Sequence, residues 1–431
     1  MSRPAPLCVL AALATAPWLS AQVYVDPCGP AVFANPGPAQ ELGPAVFGAS
    51  ELAQLELVPA SGGSGWLGCA TVKRLGAGDF DLVAFTWQGP GSTPVLDAAL
   101  NALNGPGDEA SGALSHDGLA LVMDCGVGNA ASAIGNHPIL ATRATASGPF
   151  TIVGDLGGAF PAFPGYYDPQ LGRCDLDQDG VIDDVVYFSA AHGGIEVGKL
   201  DRTNGAVSQI VVAIPPLLHV AGFQFCHSPA PADDVNGITR GLWFAVHATG
   251  TGSDAYWYPG IASSLYPQGN ALGLVPQAVF DDATAWNANP AVLRGSTWFA
   301  RAAGPVYGDP LRIDAFTLTS ASVRAAVGGT ATHVGQLPFQ RWTAPIAAAV
   351  NLGYAEFITP FAPSYFGLAG YGHLCVIPAM AIGVGTTNGE FQLSYTLAPG
   401  LPRVLVLAQA AALEPLRNEL YLSNRAWLEL R

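Results

Sequence analysis

Charge is what this 431-residue chain has least of. Only 11% of its side chains are Asp, Glu, Lys or Arg, and 17 basic residues face 32 acidic ones. Setting Arg3 aside leaves 16 basic against 32 acidic residues, a net charge of −16, and no basic cluster interrupts it. Such a surface repels phosphate backbones, which excludes a nucleic-acid partner. Long apolar runs are also lacking: the richest, Ile210–Val220, is split by Pro215-Pro216, so no 18-residue membrane span is available. Gly62-Gly-Ser64-Gly-Trp lacks the closing glycine of a nucleophile elbow. There is no His-Glu-x-x-His, no Walker loop and no Gly-x-Gly-x-x-Gly leading into a helix. Metalloprotease, P-loop and dinucleotide chemistry lose their usual footholds. The cysteines never approach Cys-x-x-Cys spacing, so no zinc knuckle exists.

What is present begins with an export signal. Residues 1–21 combine Arg3, an apolar run from Leu7 to Ala16, and Leu-Ser-Ala21 before Gln22. Cys8 stands at the start of that run and not after it, which argues against a lipid anchor. A secreted protein is expected (extracellular, periplasmic or at the cell surface), soluble and monomeric. The remaining length, about 410 residues, favours two domains. With 52 Gly, 35 Pro and half the chain apolar, many short strands joined by tight turns are expected. Cys28, Cys69, Cys125, Cys174, Cys226 and Cys375 permit up to three disulfides, with no pairing selected and free thiols equally open.

A Pro/Gly-rich lead-in over 22–65 holds one weakly alternating stretch, Glu51 to Val58. From residue 66 a theme recurs, in which a short strand with a bulky landmark is followed by a Gly-rich turn and an answering strand. The landmarks are Phe85, Met123, Phe188, Phe244 and Phe299, spaced 38, 65, 56 and 55 residues apart. Answering strands are Ile139–Arg143, Ile195–Leu200, Ala255–Tyr258 and Leu311–Thr317. Repeats near this size suggest one four-stranded blade per unit. Ser115-His-Asp117-Gly118 before a strand, then Arg143 before Gly148-Pro-Phe150, resembles the WD40-like (PD40, TolB-type) propeller blade. That resemblance covers 108–200 and implies a β-propeller over 66–325, of five to seven blades.

Within it, Asp175-Leu-Asp177-Gln-Asp179-Gly180-Val-Ile-Asp183-Asp184 crowds five carboxylates into ten residues. Alternate aspartates with Gly at position 6 suit a hard cation with oxygen ligands. The loop departs from an EF-hand, since Val186 holds position 12 and Val-Val-Tyr-Phe188 is strand sequence. It resembles the calcium loop of FG-GAP and VCBS-type repeats. The expected metal set is Asp175, Asp177, Asp179, the Val181 carbonyl and Asp183, holding structural Ca2+, with Asp184 outside it. The competing reading is a solvated acidic turn.

Residues 326–431 read as short strands, with Gly370-Tyr-Gly-His-Leu-Cys375, Thr386–Tyr395, Leu405–Pro415 and Leu420–Asn424 as landmarks. They resemble the C-terminal β-sandwich tail of large secreted proteins of aquatic bacteria; 331–360 fits either that tail or a sixth blade. No catalytic residue is assigned. The eight histidines are expected in turn or surface roles, and Tyr256-Trp257-Tyr258 in packing between blades rather than on a sugar. The expectation is a calcium-stabilised, non-catalytic binding or scaffolding propeller with a protein or glycan partner. The alternative is a glycan-active enzyme with carboxylates in the funnel, for which Asp81, Asp124, Glu196 and Asp314 are candidates. Strand carboxylates converging on the channel beside an aromatic favour the enzyme; a lining of Gly, Ala and Ser favours binding.

Overall fold

The computed structural model describes residues 29–34, 40–60, 64–125, 137–157, 168–218, 220–249, 252–262, 277–280, 286–293, 295–302, 310–321, 324–337, 347–353, 356–360, 369–377, 379–385, 389–400, 402, 404–414 and 418–430. The export signal, Cys28, His219 and Tyr166-Tyr167 lie outside this set. Within it the chain is a β-propeller followed by further sheets. Four antiparallel sheets run in simple up-and-down order, over 49–97, 109–155, 170–214 and 223–280. A fifth is built from Trp286–Leu293, Ser296–Ala302 and Leu311–Ser320.

The first strand of each sheet is the innermost. These strands are Ala49–Pro59, Glu109–Leu114, Gln170–Cys174, Phe223–Asp233 and Trp286–Leu293. Each packs against the next, and the fifth packs against the first, which closes the cycle. The closing sheet borrows its fourth strand from the other end of the chain, where Ala31–Ala34 pairs antiparallel with Ile313–Phe316. The lead-in of the sequence reading therefore supplies two strands, one inner and one outer. Its inner strand alternates weakly because Leu52, Leu55, Leu57 and Val58 are all buried; both faces meet neighbours.

The hydrophobic core is divided among the gaps between sheets. Leu82, Leu121 and Met123 share one gap, Val122, Val186 and Phe188 the next, and Tyr187, Phe244 and Tyr256 the third. Trp243, Trp257 and Phe299 fill the fourth, and Phe85, Trp87 and Trp298 the fifth. This explains the apolar second strands: Ala120–Cys125 is buried at every position because a sheet lies on each side. Fully burying one such side chain contributes about 1.5–3 kcal/mol. Tyr256, Trp257 and Tyr258 are all in the core, and Trp257 lies so close to Gly241 that a Cβ there would meet the ring at 2.1 Å.

Strand Leu311–Ser320 continues beyond the propeller. Its second half pairs with Thr330–Gln336, which pairs in turn with Glu390–Thr396. Ala347–Gly353, Leu405–Glu414 and Glu419–Leu430 form a second sheet sharing a core with the first, including Phe316, Val350, Phe391 and Leu428. The 330–353 strands thus belong with the C-terminal sheets. Trp427 and Leu407 also reach the gap between the third and fourth propeller sheets.

Of the up to three disulfides the cysteines permit, most do not form. Cys69, Cys125, Cys174 and Cys226 are free, each buried on a different sheet, and only Cys375 among the described cysteines is disulfide-bonded. Burial in separate sheets keeps the four thiols apart.

Candidate functional site

The inner strands present residues to the channel in layers, set by an irregularity that recurs around the cycle. Ser111, Asp168, Ser228 and Asn289 take left-handed φ values of 53°, 43°, 50° and 52°. The register of each inner strand that holds one of the last two, and of Glu109–Leu114, breaks at that point; Ala49–Pro59 breaks likewise at Ala53. A non-glycine residue in this conformation costs roughly 1–2 kcal/mol, so four of them need compensation. It comes from one another. Ser111 Oγ donates to Asp168 Oδ1 at 2.8 Å, and Ser228 donates its backbone N–H to Asp168 Oδ2 at 3.2 Å. Ser228 Oγ meets Asn289 Oδ1, and Asn289 Nδ2 donates to the Ala53 carbonyl. All five sheets are joined at this level.

Three residues further along each strand, Glu56, Leu114, Leu171, Pro231 and Val292 line a small cavity of about 30 Å3, room for about two waters. Leu57, Val58, Pro59, Trp66, His116, Asp233 and Asp234 complete its wall. Glu56 stands alone among apolar neighbours in its layer. Its side chain is 9% exposed and Oε2 has no hydrogen-bond partner. Burial holds its carboxyl well above the usual range, and the charge of Asp233 across the cavity adds to the effect. Asp233 Oδ1 accepts from Thr239 Oγ1 at 2.8 Å, while Oδ2 faces His116 Nδ1 at 3.7 Å. Asp234 caps the following turn by accepting from the Asn236 and Ile238 amides, and Arg240 Nε lies 2.9 Å from its Oδ2. Gly237 in that turn has φ +70°, and a Cβ there would sit 2.3 Å from the His116 ring, so only glycine fits.

Neither Glu56 nor Asp233 was a sequence candidate. The four candidates that were do not converge. Asp81 pairs with Arg74 at 2.8 Å, Asp124 accepts from the Asp168 amide, Glu196 faces His192 at 3.2 Å, and Asp314 holds Arg312. All four sit on second or third strands, away from the channel. Two histidines depart from the expected turn and surface roles, since His227 and His333 are buried; His116 keeps its place in a turn and also lines the cavity. The Ser115–Gly118 turn forms as its sequence suggests. Asp117 Oδ1 accepts from the Leu119 amide, and Arg143 bonds the Gly118 carbonyl while lying 4.4 Å from the Phe150 ring centre.

The Asp175 loop joins two strands of the third sheet. Asp175, Asp177 and Asp179 each bring a carboxylate oxygen within 4.8 Å of the others. Gly180 (φ +89°) donates its N–H to Asp175 Oδ2 at 3.0 Å, and Val181 donates its own to Asp179 Oδ1 at 2.7 Å. Val181 itself is 58% exposed. Asp183 opens the next strand, buried, and Asp184 turns away to Arg202. Lys199, which no local sequence signal marks, places its Nζ 2.7 Å from Asp183 and 3.1 Å from Asp177. Its hydrogen bond is the main cause holding the Asp177 carboxyl below the usual range. Lys199 supplies one positive charge to four carboxylates. Asp183 stands outside the three-carboxylate cluster, held by Lys199; Asp175 Oδ1 within the cluster and Asp183 Oδ2 beside it are buried without a partner, and the three clustered carboxylates fit a hard cation.

No protein-family model and no curated protein matches the chain. Among solved structures, a GH43 glycoside hydrolase engineered for endo-xylanase and exo-arabinofuranosidase activity aligns over 88% of this chain and 86% of its own, at 9% identity and a TM-score of 0.39. The alpha-L-arabinanase of Penicillium chrysogenum aligns over 95% and 99%, at 9% identity and a TM-score of 0.36. The GH74 enzyme of Niastella koreensis aligns over 90% of this chain and 55% of its own, at 10% identity and a TM-score of 0.31. Likenesses this remote assign no chemistry to any residue.

Proposed function

We propose that the channel mouth is an acid–base site acting on a glycan, with Glu56 as general acid and Asp233 as base. One observation carries this reading: two inner-strand carboxylates, from the first and fourth sheets, face one cavity in unlike surroundings. Environments that push two carboxyls apart in pKa are how a single site supplies both a proton donor and an acceptor near neutrality. A glycosidic bond needs that pair: Asp233 takes a proton from water as its oxygen attacks the anomeric carbon, and Glu56 gives its proton to the departing oxygen. His116 and Thr239 hold Asp233. The cavity admits water, so the sugar ring lies above it.

The test is turnover of a panel of p-nitrophenyl glycosides and soluble polysaccharides. Wild type should act on at least one member, and Glu56→Gln and Asp233→Asn should each lose 100-fold or more, on the order of what acid–base catalysis contributes. Turnover that survives both substitutions refutes the reading. A second reading, a non-catalytic binding propeller, is favoured by the narrowness of the cavity; glycan-array binding by wild type and Glu56→Gln alike, without turnover, selects it.

We further read Asp175, Asp177, Asp179, Asp183 and the Val181 carbonyl as a structural Ca2+ site, displacing Lys199 toward solvent. The chain is read as exported, with a propeller ahead of about residue 325 and a β-sandwich after it. The disulfide at Cys375 accords with an oxidising compartment, and no described helix is long and apolar enough to cross a membrane.

A further inference from the structure

We propose that Gln336 and Glu390, on the C-terminal sheets, are positioning residues for Asp233, which makes those sheets a working part of the channel-mouth site. The proposal rests on the reading of Glu56 and Asp233 as acid and base. Asp233 stands where its strand leaves regular pairing: the register slips between Ala232 and Asp233, and a turn over 234–237 follows. Backbone groups released by such a slip need other partners, and a carboxylate on the segment is only as fixed as its main chain. Gln336 Nε2 donates to the Asp233 carbonyl at 2.8 Å, and the Val235 amide donates to Glu390 Oε2 at 3.2 Å. These two contacts grip the main chain on either side of Asp234, directly after the Asp233 side chain.

Three observations separate these contacts from ordinary packing. Gln336 and Glu390 face each other in register on adjacent strands, so one end of one sheet reaches a single three-residue segment twice. Both side chains are buried, and a buried glutamate costs desolvation unless it is partnered; the propeller's Val235 amide is one such partner. The gripping end is itself fixed, since the Leu337 amide donates to the Gly389 carbonyl at 2.7 Å. Thr239 thus holds the Asp233 side chain while the C-terminal pair holds its main chain. The ionisable groups around Asp233 are Glu56 from the first sheet, His116 from the second, Cys174 from the third, Asp234 and Arg240 from its own, and Glu390. Of these, Glu56 reports where Asp233 stands, because the Asp233 charge helps to raise its carboxyl.

The experiment is guanidinium chloride unfolding of the full chain from about pH 4 to 10 in half-unit steps, each variant measured with and without Glu56→Gln. The difference between the two curves bends at the native Glu56 pKa. Gln336→Met and Glu390→Met, which remove the contacts at similar volume, should move the bend at least one step to lower pH. Glu390→Gln, whose amide oxygen still accepts from Val235, should leave it in place. Val350→Ala, in the core of the C-terminal sheets, should lose stability without moving it. For any p-nitrophenyl glycoside that wild type turns over, Gln336→Met should lower kcat about 10- to 100-fold with KM little changed. A bend unmoved in both methionine variants overturns the proposal, as does an equal movement in Val350→Ala. Where one methionine variant does not fold the other decides; failure of both to fold marks a structural role and overturns it as well. A flat wild-type difference refutes the acid assignment and this proposal with it, a result told from failure of the grip alone by the wild-type curve. A moved bend without turnover in wild type upholds the positioning and refutes only the catalysis.

Discussion

Replacing Glu56 by glutamine keeps the shape of the side chain and removes its proton equilibrium, which makes the pH dependence of stability the informative measurement. The native carboxyl is held well above its ordinary value of 4.5 by burial and by Asp233. Above pH 4.5 the unfolded chain releases this proton while the native state keeps it. The native state then binds more protons, so wild-type stability falls as pH rises, by about 1.4 kcal/mol per unit until the native pKa is passed. Glu56→Gln should escape this loss. The difference in unfolding free energy, mutant minus wild type, should therefore grow steadily as pH rises above 4.5. Guanidinium chloride titrations at half-unit intervals read it directly, with the slope m as a check that the unfolded state has not changed. A flat difference would falsify the assignment of Glu56 as a carboxyl kept neutral. Glu56→Leu, which also removes the unpartnered Oε2, should stabilise the chain at pH 7 by roughly 1–3 kcal/mol while removing turnover.

His333 is fully buried and its pKa is pushed down to about 4 by burial. A lowered histidine contributes stability that is complete above pH 6.5 and drains away as pH falls to 4, so His333→Phe should flatten the acid limb; an unchanged limb refutes it. For the Asp175 loop, excess Ca2+ should raise the unfolding midpoint over EDTA, with about 2.7 kcal/mol added at 100 times the dissociation constant. Asp177→Ala should remove that response, and identical melting of wild type in EDTA and calcium would rule the site out. Arg312 is fully buried beside Asp314 and lies 5.5 Å from the Trp298 ring centre. Arg312→Met should cost about 3–5 kcal/mol by stranding the Asp314 charge, and Arg312→Met/Asp314→Asn should recover much of it; equal losses in both would show that packing, not charge, dominates.

The hairpins were legible because their residues face a neighbouring sheet on each side. Met123, Phe188, Phe244 and Phe299 lie on second strands, and their answering strands are the third. Phe85 is on a third strand, which accounts for the short first interval of 38 residues. The inner strands stayed hidden for a physical reason. A left-handed residue at Ser111, Ser228 or Asn289 breaks the alternation that marks a strand, and Gln54 and Glu56 put polar side chains in buried positions. Asp233 ends its strand just ahead of the Asn236-Gly237 turn, which Asp234 caps, so nothing local marks it as a channel residue. The available clue to the site was a glutamate inside the otherwise apolar run Leu55 to Val58. The Asp175 loop could be read locally because Asp and Gly alternate at fixed offsets; Lys199, 16 residues beyond Asp183, could be placed only by the strand register.

The pairing of Ala31–Ala34 with Ile313–Phe316 sets an order of events in the life of the chain. The first of the described strands to be made is among the last to find its place, since its partner lies about 280 residues downstream. At ordinary synthesis rates of 5–20 residues per second, that is a wait of roughly 15–60 s. During it the fifth sheet cannot be completed, and the cycle stays open with bare edges on either side of the gap. The strand that ends the wait, Leu311–Ser320, also begins the C-terminal sheets, so closing the cycle and founding the second core are a single event. A chain cut short before residue 311 should therefore be more prone to pair with another copy of itself than with its own first strand.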